Sequence, residues 1–283
     1  MNILVLSCGT GGGHNAAARA VEAEAQQRGH NVTMMNPIDL CGERAAQLVD
    51  NAYISIAQRS PRSFGFVYAL GNAYRRLPWR SPVYFANGKG AEALEGYLQE
   101  HPADVVITTH VYPGEMLTYL KNHGAAVPKT IFVATDYTCI PFLAETDLDG
   151  YFIAHEDLRA ELVEKGIPSD RIIVTGIPVD EKFAHHMEKA AARNYLAIPQ
   201  NQDVFLIMSG GIGVGNAGAI CDEILRRHSG AFTVYILVGR NSDLKQTLEE
   251  KYAGNEHVRI VTFTKKVNVY MNAADVMISK PGG

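Results

Sequence analysis

The chain opens with a short apolar run, a glycine-rich turn and an alanine-rich segment, in that order. Ile3 to Leu6 is apolar and β-branched and too short for a helix, which predicts a buried strand. Glycines that allow sharp bends and close backbone approach to a ligand follow at once: Gly9, Gly11, Gly12 and Gly13. A helix is predicted from Asn15 to a cap at Gly29. This order predicts a doubly wound α/β domain, which binds ligands beyond the carboxyl ends of its strands.

His14 stands where the glycine turn meets the helix, so we expect its imidazole to face the ligand crevice. A dinucleotide fingerprint needs a third glycine at the position that His14 occupies, because helix and strand pack closely there. A side chain at that position argues against NAD and favours chemistry at the turn itself. The alternative is a tight turn that needs small residues and binds nothing.

Composition narrows the class of protein. The 283 residues suffice for two domains, and 47% hydrophobic with 20% charged residues is ordinary for a globular protein. A net charge of -4 argues against a nucleic-acid partner. The scattered cysteines form no C-x-x-C pair, which argues against zinc or a disulfide framework and predicts a cytoplasmic protein. We expect no signal peptide and no membrane-spanning segment, so any membrane contact should be peripheral.

Further apolar runs alternate with helical segments, which predicts a parallel sheet. Several predicted strands are followed by polar side chains: His14, His110, Asp136 and His155. A single histidine near a strand end is usually structural. Because the carboxyl ends of parallel strands meet at one edge, the four residues together form a candidate site.

Residues 51–91 contain no Asp or Glu but many arginines and aromatic residues. Pro61, Pro78 and Pro82 are expected to break this segment into short pieces, and a helix is predicted through Ala91 to Glu100. Such a segment suits a membrane interface, with rings at headgroup depth and arginines on anionic lipid, and its candidate contacts are Arg75, Arg76, Trp79 and Arg80. A helical subdomain with core aromatics and solvated arginines is an equally good interpretation.

The opening pattern restarts after a polar segment. Val204 to Met208 predicts a strand, and a second glycine turn and helix follow. We therefore predict an N-terminal domain of residues 1–180, a linker of residues 181–200 and a C-terminal domain of residues 201–283. The last strand ends in a glycine pair that should lead into a helix, so the C-terminal domain is expected to be truncated.

An ordered set of motifs runs the length of the chain: Gly9–His14, Thr108–His110, Thr135–Tyr137, Thr175–Val179, Ser209–Gly213 and Ser279–Gly283. The set resembles the lipid-linked glycosyltransferases related to monogalactosyldiacylglycerol synthase and processive diacylglycerol glucosyltransferase. The resemblance implies an α/β chain of the GT-B type, glycosyltransferase family 28-like, with two Rossmann-like lobes and parallel sheets. It also implies an N-terminal lobe for the lipid acceptor, a C-terminal lobe for a UDP-sugar, and inverting transfer without a metal or other cofactor.

Residue roles follow from this resemblance. His14 is expected to act as the general base, with Asp136 as an alternative base or as the group that orients the histidine. The remaining acceptor-binding candidates are Gly11, Gly12, Gly13, His110, Tyr137 and His155. The UDP-sugar candidates are Ser209, Gly210, Gly211, Gly213, Gly239, Arg240, Phe263, Lys280, Pro281, Gly282 and Gly283.

The resulting expectation is transfer of a hexose from UDP-hexose to diacylglycerol or a related lipid, by a cytoplasmic protein peripheral on the inner face of the cell membrane. The alternatives are transfer to a polyprenyl-linked or soluble acceptor, and an inactive truncated fragment that only binds nucleotide sugar or lipid. A dinucleotide-dependent oxidoreductase is disfavoured by His14.

Overall fold

The computed structural model describes residues 1–9, 12–42, 82–208 and 216–279. The chain divides into two compact units, one of Met1–Asp180 and one that begins at Glu181. The predicted membrane contacts Arg75, Arg76, Trp79 and Arg80 lie outside the described residues. Among the helices of the described ranges, none combines the length and apolarity needed to cross a bilayer.

The first unit is built on a parallel sheet with strand order β2-β1-β3-β4-β5-β6. Its strands are β1 Asn2–Leu6, β2 Asn31–Met35, β3 Val105–Thr108, β4 Lys129–Val133, β5 Gly150–Ile153 and β6 Ile172–Val174. Every neighbouring pair is parallel. Because β1 lies between β2 and β3, residues that follow it at its carboxyl end have neighbouring strand ends on both sides. The predicted doubly wound α/β class is confirmed.

Helices cover both faces of this sheet. They are α1 Gly12–Gln27, α2 Pro82–Glu100, α3 Val111–Asn122 and α4 Leu158–Glu164. Side chains of β1 alternate between the faces: Leu4 and Leu6 join the large cluster around α2 and α3, whereas Ile3 and Val5 pack with Ala18 of α1. A strand buried on both faces explains the uninterrupted apolar run.

Helices α2 and α3 pack closely because α2 carries glycines where they meet. A Cβ added to Gly88 would lie 2.8 Å from the Tyr119 ring, and one added to Gly90 would lie 2.6 Å from the Met116 methyl carbon. Tyr84 is buried beside Tyr119, with 5.7 Å between ring centres. At least this part of the basic and aromatic segment is therefore core.

Two helices begin earlier than the sequence pattern predicts. Helix α1 begins at Gly12 rather than Asn15, so His14 lies within its first turn. Helix α2 begins at Pro82, not near Ala91. Proline is well suited to the first helical position, where its fixed φ fits and its missing N–H costs nothing, so Pro82 starts a helix instead of breaking one.

The second unit has a parallel sheet of order β10-β7-β8-β9. Its strands are β7 Asp203–Met208, β8 Phe232–Gly239, β9 Val258–Thr262 and β10 Val276–Ser279. Its helices are α5 Lys189–Tyr195, α6 Ala217–Arg227, α7 Ser242–Lys251 and α8 Val267–Ala273. Predicted alternation of strand and helix holds here too.

The predicted linker of residues 181–200 contains α5, which packs into the second unit. Ala192 of α5 shares a buried cluster with Val204 and Val269. Arg193, only 4% exposed, donates hydrogen bonds to the Ala273 carbonyl oxygen at 3.1 Å and to Asp275 Oδ2 at 2.5 Å. A buried, paired arginine ties this segment to β10 and makes it part of the folded unit.

Candidate active site

Three neighbouring strands of the first unit deliver polar side chains to one edge of the sheet. His14 follows β1, His110 follows β3, and Thr135 with Asp136 follows β4. These strands are adjacent in the sheet, and their parallel register puts their carboxyl ends side by side. The convergence expected for His14, His110 and Asp136 is therefore present in the structure.

The His14 ring is held through one nitrogen. Its Nδ1 lies 2.8 Å from the Thr109 carbonyl oxygen and 2.7 Å from Thr135 Oγ1. The Thr109 hydroxyl also donates to the backbone carbonyl of His14 at 3.1 Å. Thr109 thus holds both the ring and the backbone of this residue. Thr109 is fully buried and Thr135 is 3% exposed, which fixes both partners in place.

A side-chain hydrogen bond also closes the turn before His14. Asn15 Nδ2 donates to the Cys8 carbonyl oxygen at 2.8 Å and so joins the residues after β1 to the first turn of α1. Gly12 is exposed, and a Cβ there would meet nothing within 4 Å. The first turn of α1, which carries His14, is therefore bonded to the end of β1 through Asn15, and its first residue, Gly12, is exposed to solvent.

His110 packs against His14 in a different environment. The two ring centres are 4.9 Å apart in an edge-to-face arrangement. His110 caps the N-terminus of α3, where its Nδ1 accepts the backbone N–H of Tyr112 at 3.3 Å. Burial, together with the nearby charge of His14, lowers the pKa of His110 to about 3. At neutral pH His110 is therefore an uncharged neighbour of His14.

A small concavity adjoins His14 and has a mixed lining. Its polar side is formed by His14, Thr135, Asp136 and Thr138, and its apolar side by Phe132, Ala134, Ile140 and Leu143. Asp136 Oδ2 lies 3.5 Å from Thr135 Oγ1, one residue removed from the imidazole. This space has no room for a water molecule, so it is a packing gap beside His14 and not a ligand cavity.

The other acceptor-binding candidates lie differently. Gly12 and Gly13 precede His14 in α1, and Gly11 lies outside the described residues. The Tyr137 side chain is 65% exposed next to Asp136. His155 is exposed, with its Nδ1 3.3 Å from Asp157 Oδ2. No described contact joins Tyr137 or His155 to His14.

In the second unit the structure brings together three of the predicted UDP-sugar residues. Gly239 ends β8 with a positive φ of 62°, beside a register shift in its pairing with β9. Arg240 follows, with its guanidinium carbon 4.7 Å from the centre of the Phe263 ring. Both side chains are exposed at the carboxyl ends of their strands. The remaining candidates lie outside the described residues: Ser209, Gly210, Gly211, Gly213, Lys280, Pro281, Gly282 and Gly283.

Sequence reasoning missed Thr109 and Thr135 as site residues. Thr109 directly follows β3, in Thr108-Thr109-His110, and Thr135 comes two residues after the end of β4, in Thr135-Asp136-Tyr137. A hydroxyl at the end of a buried strand can indicate a functional hydrogen bond, because packing alone would be satisfied by an apolar side chain. The signal does not identify the partner, which lies 95 or 121 residues away along the chain.

The comparison with protein families gives a match over most of the first unit. Residues 14–179 match the family described as monogalactosyldiacylglycerol (MGDG) synthase. The matched range begins at His14 and takes in Thr109, His110, Thr135 and Asp136. It covers more than half of the chain.

Relatives and solved structures agree with this match. The chain is 26% identical to a processive diacylglycerol beta-glucosyltransferase of Bacillus licheniformis, over all of this chain and 73% of that protein. Identity to the enzyme of the same name from Bacillus subtilis is 25%, over 99% of this chain and 72% of that protein. Acinetobacter baumannii MurG superposes with a TM-score of 0.57 at 14% identity, covering 98% of this chain and 73% of MurG. The last likeness confirms the predicted GT-B fold.

Proposed function

This chain belongs to the monogalactosyldiacylglycerol synthase family of glycosyltransferases, and from that premise we propose that it moves a hexose from a UDP-sugar to a hydroxyl of diacylglycerol. Relatives named for processive glucosyl transfer to diacylglycerol support the acceptor and the type of reaction. The observation that carries the proposal is the His14 imidazole, held at the carboxyl edge of the sheet by Thr109 and Thr135.

The chemistry assigns one task to each unit. The acceptor oxygen attacks the anomeric carbon of the sugar, the bond from that carbon to UDP breaks, and the configuration inverts. His14 takes the acceptor proton as the new bond forms. UDP leaves with the electrons of the broken bond, and we assign it to the second unit, where Arg240 supplies positive charge.

The acceptor end of this reaction is assigned to the carboxyl edge of the sheet in the first unit. His14 and Thr135 lie there in hydrogen-bond contact with each other. Asp136 is placed to orient Thr135. Tyr137 is exposed beside Asp136, where it could contact an acceptor.

We propose that no metal takes part. Within the part of the chain that the structure describes, no group of three or more His, Cys, Asp or Glu side chains is arranged to hold a metal ion. Backbone amides of the glycine turns are the proposed substitute for metal charge on the diphosphate. Transfer should then proceed at an unchanged rate in EDTA, and a rate restored only by added Mg²⁺ would overturn this part of the proposal.

We further propose that the protein works as a peripheral protein on the cytoplasmic face of an anionic membrane, because its acceptor stays in the bilayer. The acid-free segment of residues 51–91 supports this placement. Replacing Arg75 and Arg76 with Glu should abolish sedimentation with phosphatidylglycerol vesicles. Unchanged sedimentation would contradict the placement without touching the transfer chemistry.

The decisive experiment measures hexose transfer. The chain is incubated with UDP-glucose or UDP-galactose and vesicles that contain dioleoylglycerol, and labelled glycolipid is quantified. We expect product with one of the two donors, and a loss of product with His14→Gln but not with His185→Gln, an exposed histidine of the second unit. Binding of UDP without any product would favour the alternative of a fragment that only binds nucleotide sugar. Product formed only with polyprenyl phosphate would show that the acceptor is a polyprenyl-linked lipid and not diacylglycerol.

A further inference from the structure

We infer that the two packed histidines of the first unit are fixed as opposite tautomers, and that Thr109 and Thr135 are the positioning residues that leave Nε2 of His14 as the proton acceptor. This inference rests on the proposed function for its catalytic meaning. In that reaction Nε2 of His14 takes the proton, and Thr109 and Thr135 determine that it is this nitrogen. The tautomers themselves follow from contacts that do not depend on the function.

For His14 the deciding contact is the Thr109 carbonyl oxygen, 2.8 Å from Nδ1. A carbonyl oxygen can only accept a hydrogen bond, so an unprotonated Nδ1 would set two lone pairs against each other. Nδ1 therefore carries the proton. The neutral ring then has its free lone pair on Nε2, which makes no hydrogen bond with any residue in the described ranges.

Thr135 acts on the same nitrogen. Its Oγ1 lies 2.7 Å from Nδ1 and can accept a share of the N–H, which directs its own hydroxyl proton away from the ring. The Thr135 hydroxyl can then donate to Asp136 Oδ2, 3.5 Å away. When Nε2 takes a proton, the positive ring therefore faces a carbonyl dipole and, through the hydroxyl, a carboxylate.

For His110 the deciding contact has the opposite sense. The backbone N–H of Tyr112 can only donate, so the Nδ1 that it meets at 3.3 Å is unprotonated. His110 therefore carries its proton on Nε2. Of two rings 4.9 Å apart, only that of His14 presents an unprotonated Nε2, and burial keeps His110 uncharged beside it. The groups that face His14 from neighbouring elements are His110 from the start of α3 and Asp136 from the segment after β4.

The first test reads the tautomers without any substrate. Long-range ¹H–¹⁵N correlation spectra of the histidine-labelled full chain, recorded at pH 8, distinguish protonated from unprotonated ring nitrogens. His14→Gln and His110→Asn variants assign the signals. We expect Nδ1–H on His14 and Nε2–H on His110. The same tautomer on both rings, or fast exchange between tautomers on His14, would overturn the inference.

The second test uses kinetics. Thr135→Val keeps the shape of the side chain and removes the hydroxyl, and we expect kcat to fall roughly tenfold with KM for both substrates nearly unchanged. Thr135→Ser should restore most of the rate. Thr247→Val, which removes a hydroxyl bonded within an exposed helix of the second unit, is the matched control. A rise in KM without loss of kcat, or failure of serine to rescue, would contradict a positioning role.

The two tests separate the inference from the proposed function. If the spectra show opposite tautomers but His14→Gln retains full transfer, the tautomer assignment stands and the role of His14 as base fails. If transfer depends on His14 but the tautomers are alike, the proposed function survives and this inference is wrong.

Discussion

The two strand–turn–helix patterns of this chain begin in the same way and present different things at the helix start. In the first unit, α1 carries His14 in its first turn, and the ends of β3 and β4 hold that side chain. In the second unit, α6 begins at Ala217 and has no ionisable side chain in its first turn. Asn216, which precedes it, makes no capping hydrogen bond through its side chain.

The local strand–turn–helix pattern therefore determines where a site can form, and the neighbouring strands determine which chemistry that site can perform. A glycine turn before a helix offers backbone N–H groups, which suit a diphosphate. Where adjacent strands end in hydroxyl and carbonyl groups, as at Thr109 and Thr135, the same turn can instead hold a reactive side chain. Variants in the two units should therefore differ in their effects on turnover and stability.

Loss of the His14 imidazole should be the most damaging change. His14→Ala removes the proposed proton acceptor, and kcat should fall by about 10² to 10⁴, the usual contribution of a general base. Asn216→Ala, at the equivalent turn of the second unit, should change kcat by less than about tenfold. The assay is UDP release at saturating donor. Comparable losses of kcat in both variants would contradict the proposal that the base lies in the first unit and the UDP site in the second.

Acid should destabilise the first unit over a defined range of pH through His110. Its pKa in the folded protein, about 3, lies below the ordinary value of 6.5. The unfolded chain therefore binds a proton that the folded chain refuses, and the stabilisation is complete above pH 6.5 and is lost as the pH falls toward 3. We expect the urea midpoint of the first unit to fall between pH 6.5 and 4. His110→Asn should flatten that dependence, and an equally steep fall in the variant would contradict the assignment.

The buried arginine of the second unit offers a comparison in stability. Arg193→Met leaves Asp275 without its most buried partner, and removal of one member of such a pair typically costs about 3 to 5 kcal/mol. We expect the lower end, because Lys189 still contacts the carboxylate. Arg226→Met, whose ion pair with Glu223 is exposed, should cost less than about 1 kcal/mol. Urea denaturation of the second unit measures both, and equal costs would contradict the role given to Arg193.

Close packing of α2 on α3 predicts a smaller effect in the first unit. Gly88→Val forces a side chain against the Tyr119 ring, and overpacking of this kind costs about 1 to 3 kcal/mol. Gly96→Val lies on the same helix, where a Cβ would meet nothing within 4 Å, and should be nearly neutral. Thermal unfolding distinguishes the two. If both variants melt at the temperature of the parent, the helices do not pack as described.

The smallest effect is expected at the exposed pair of the second unit. Phe263→Ala removes the ring that lies under the Arg240 guanidinium, a contact worth about 0.5 to 1 kcal/mol at an exposed site. UDP affinity measured by calorimetry should fall a few-fold, while Phe183→Ala, another exposed aromatic of this unit, should leave it unchanged. A large loss with Phe183→Ala would move the donor site elsewhere.

The architecture was largely predictable because the sequences of buried parallel strands are short apolar runs that are easily recognised. The predicted strand Ile3 to Leu6 differs from the observed Asn2–Leu6 by a single residue. The position of His14 at the sheet edge follows from the glycine turn before it. These features are local, so a single stretch of sequence contains the information.

What escaped prediction depends on distant partners. Thr135 looks like any hydroxyl at a strand end until β4 is placed beside β3. Arg193 sits in a polar stretch typical of a surface connector, and only the approach of Asp275 makes its burial favourable. Local sequence patterns, such as helical periodicity or a turn motif, do not show which strands will be neighbours in the sheet.

Strand order also sets when the base can come into being. β1 pairs with β3, whose first residue is Val105, and the hydroxyl that completes the grip on His14 comes from Thr135. When only the first hundred residues have been synthesised, His14 is already present, but Thr109 and Thr135, which hold its ring, are not. Because unfinished chains fold from the N-terminus in step with synthesis, His14 could not act as a base until β3, β4 and Thr135 had been made.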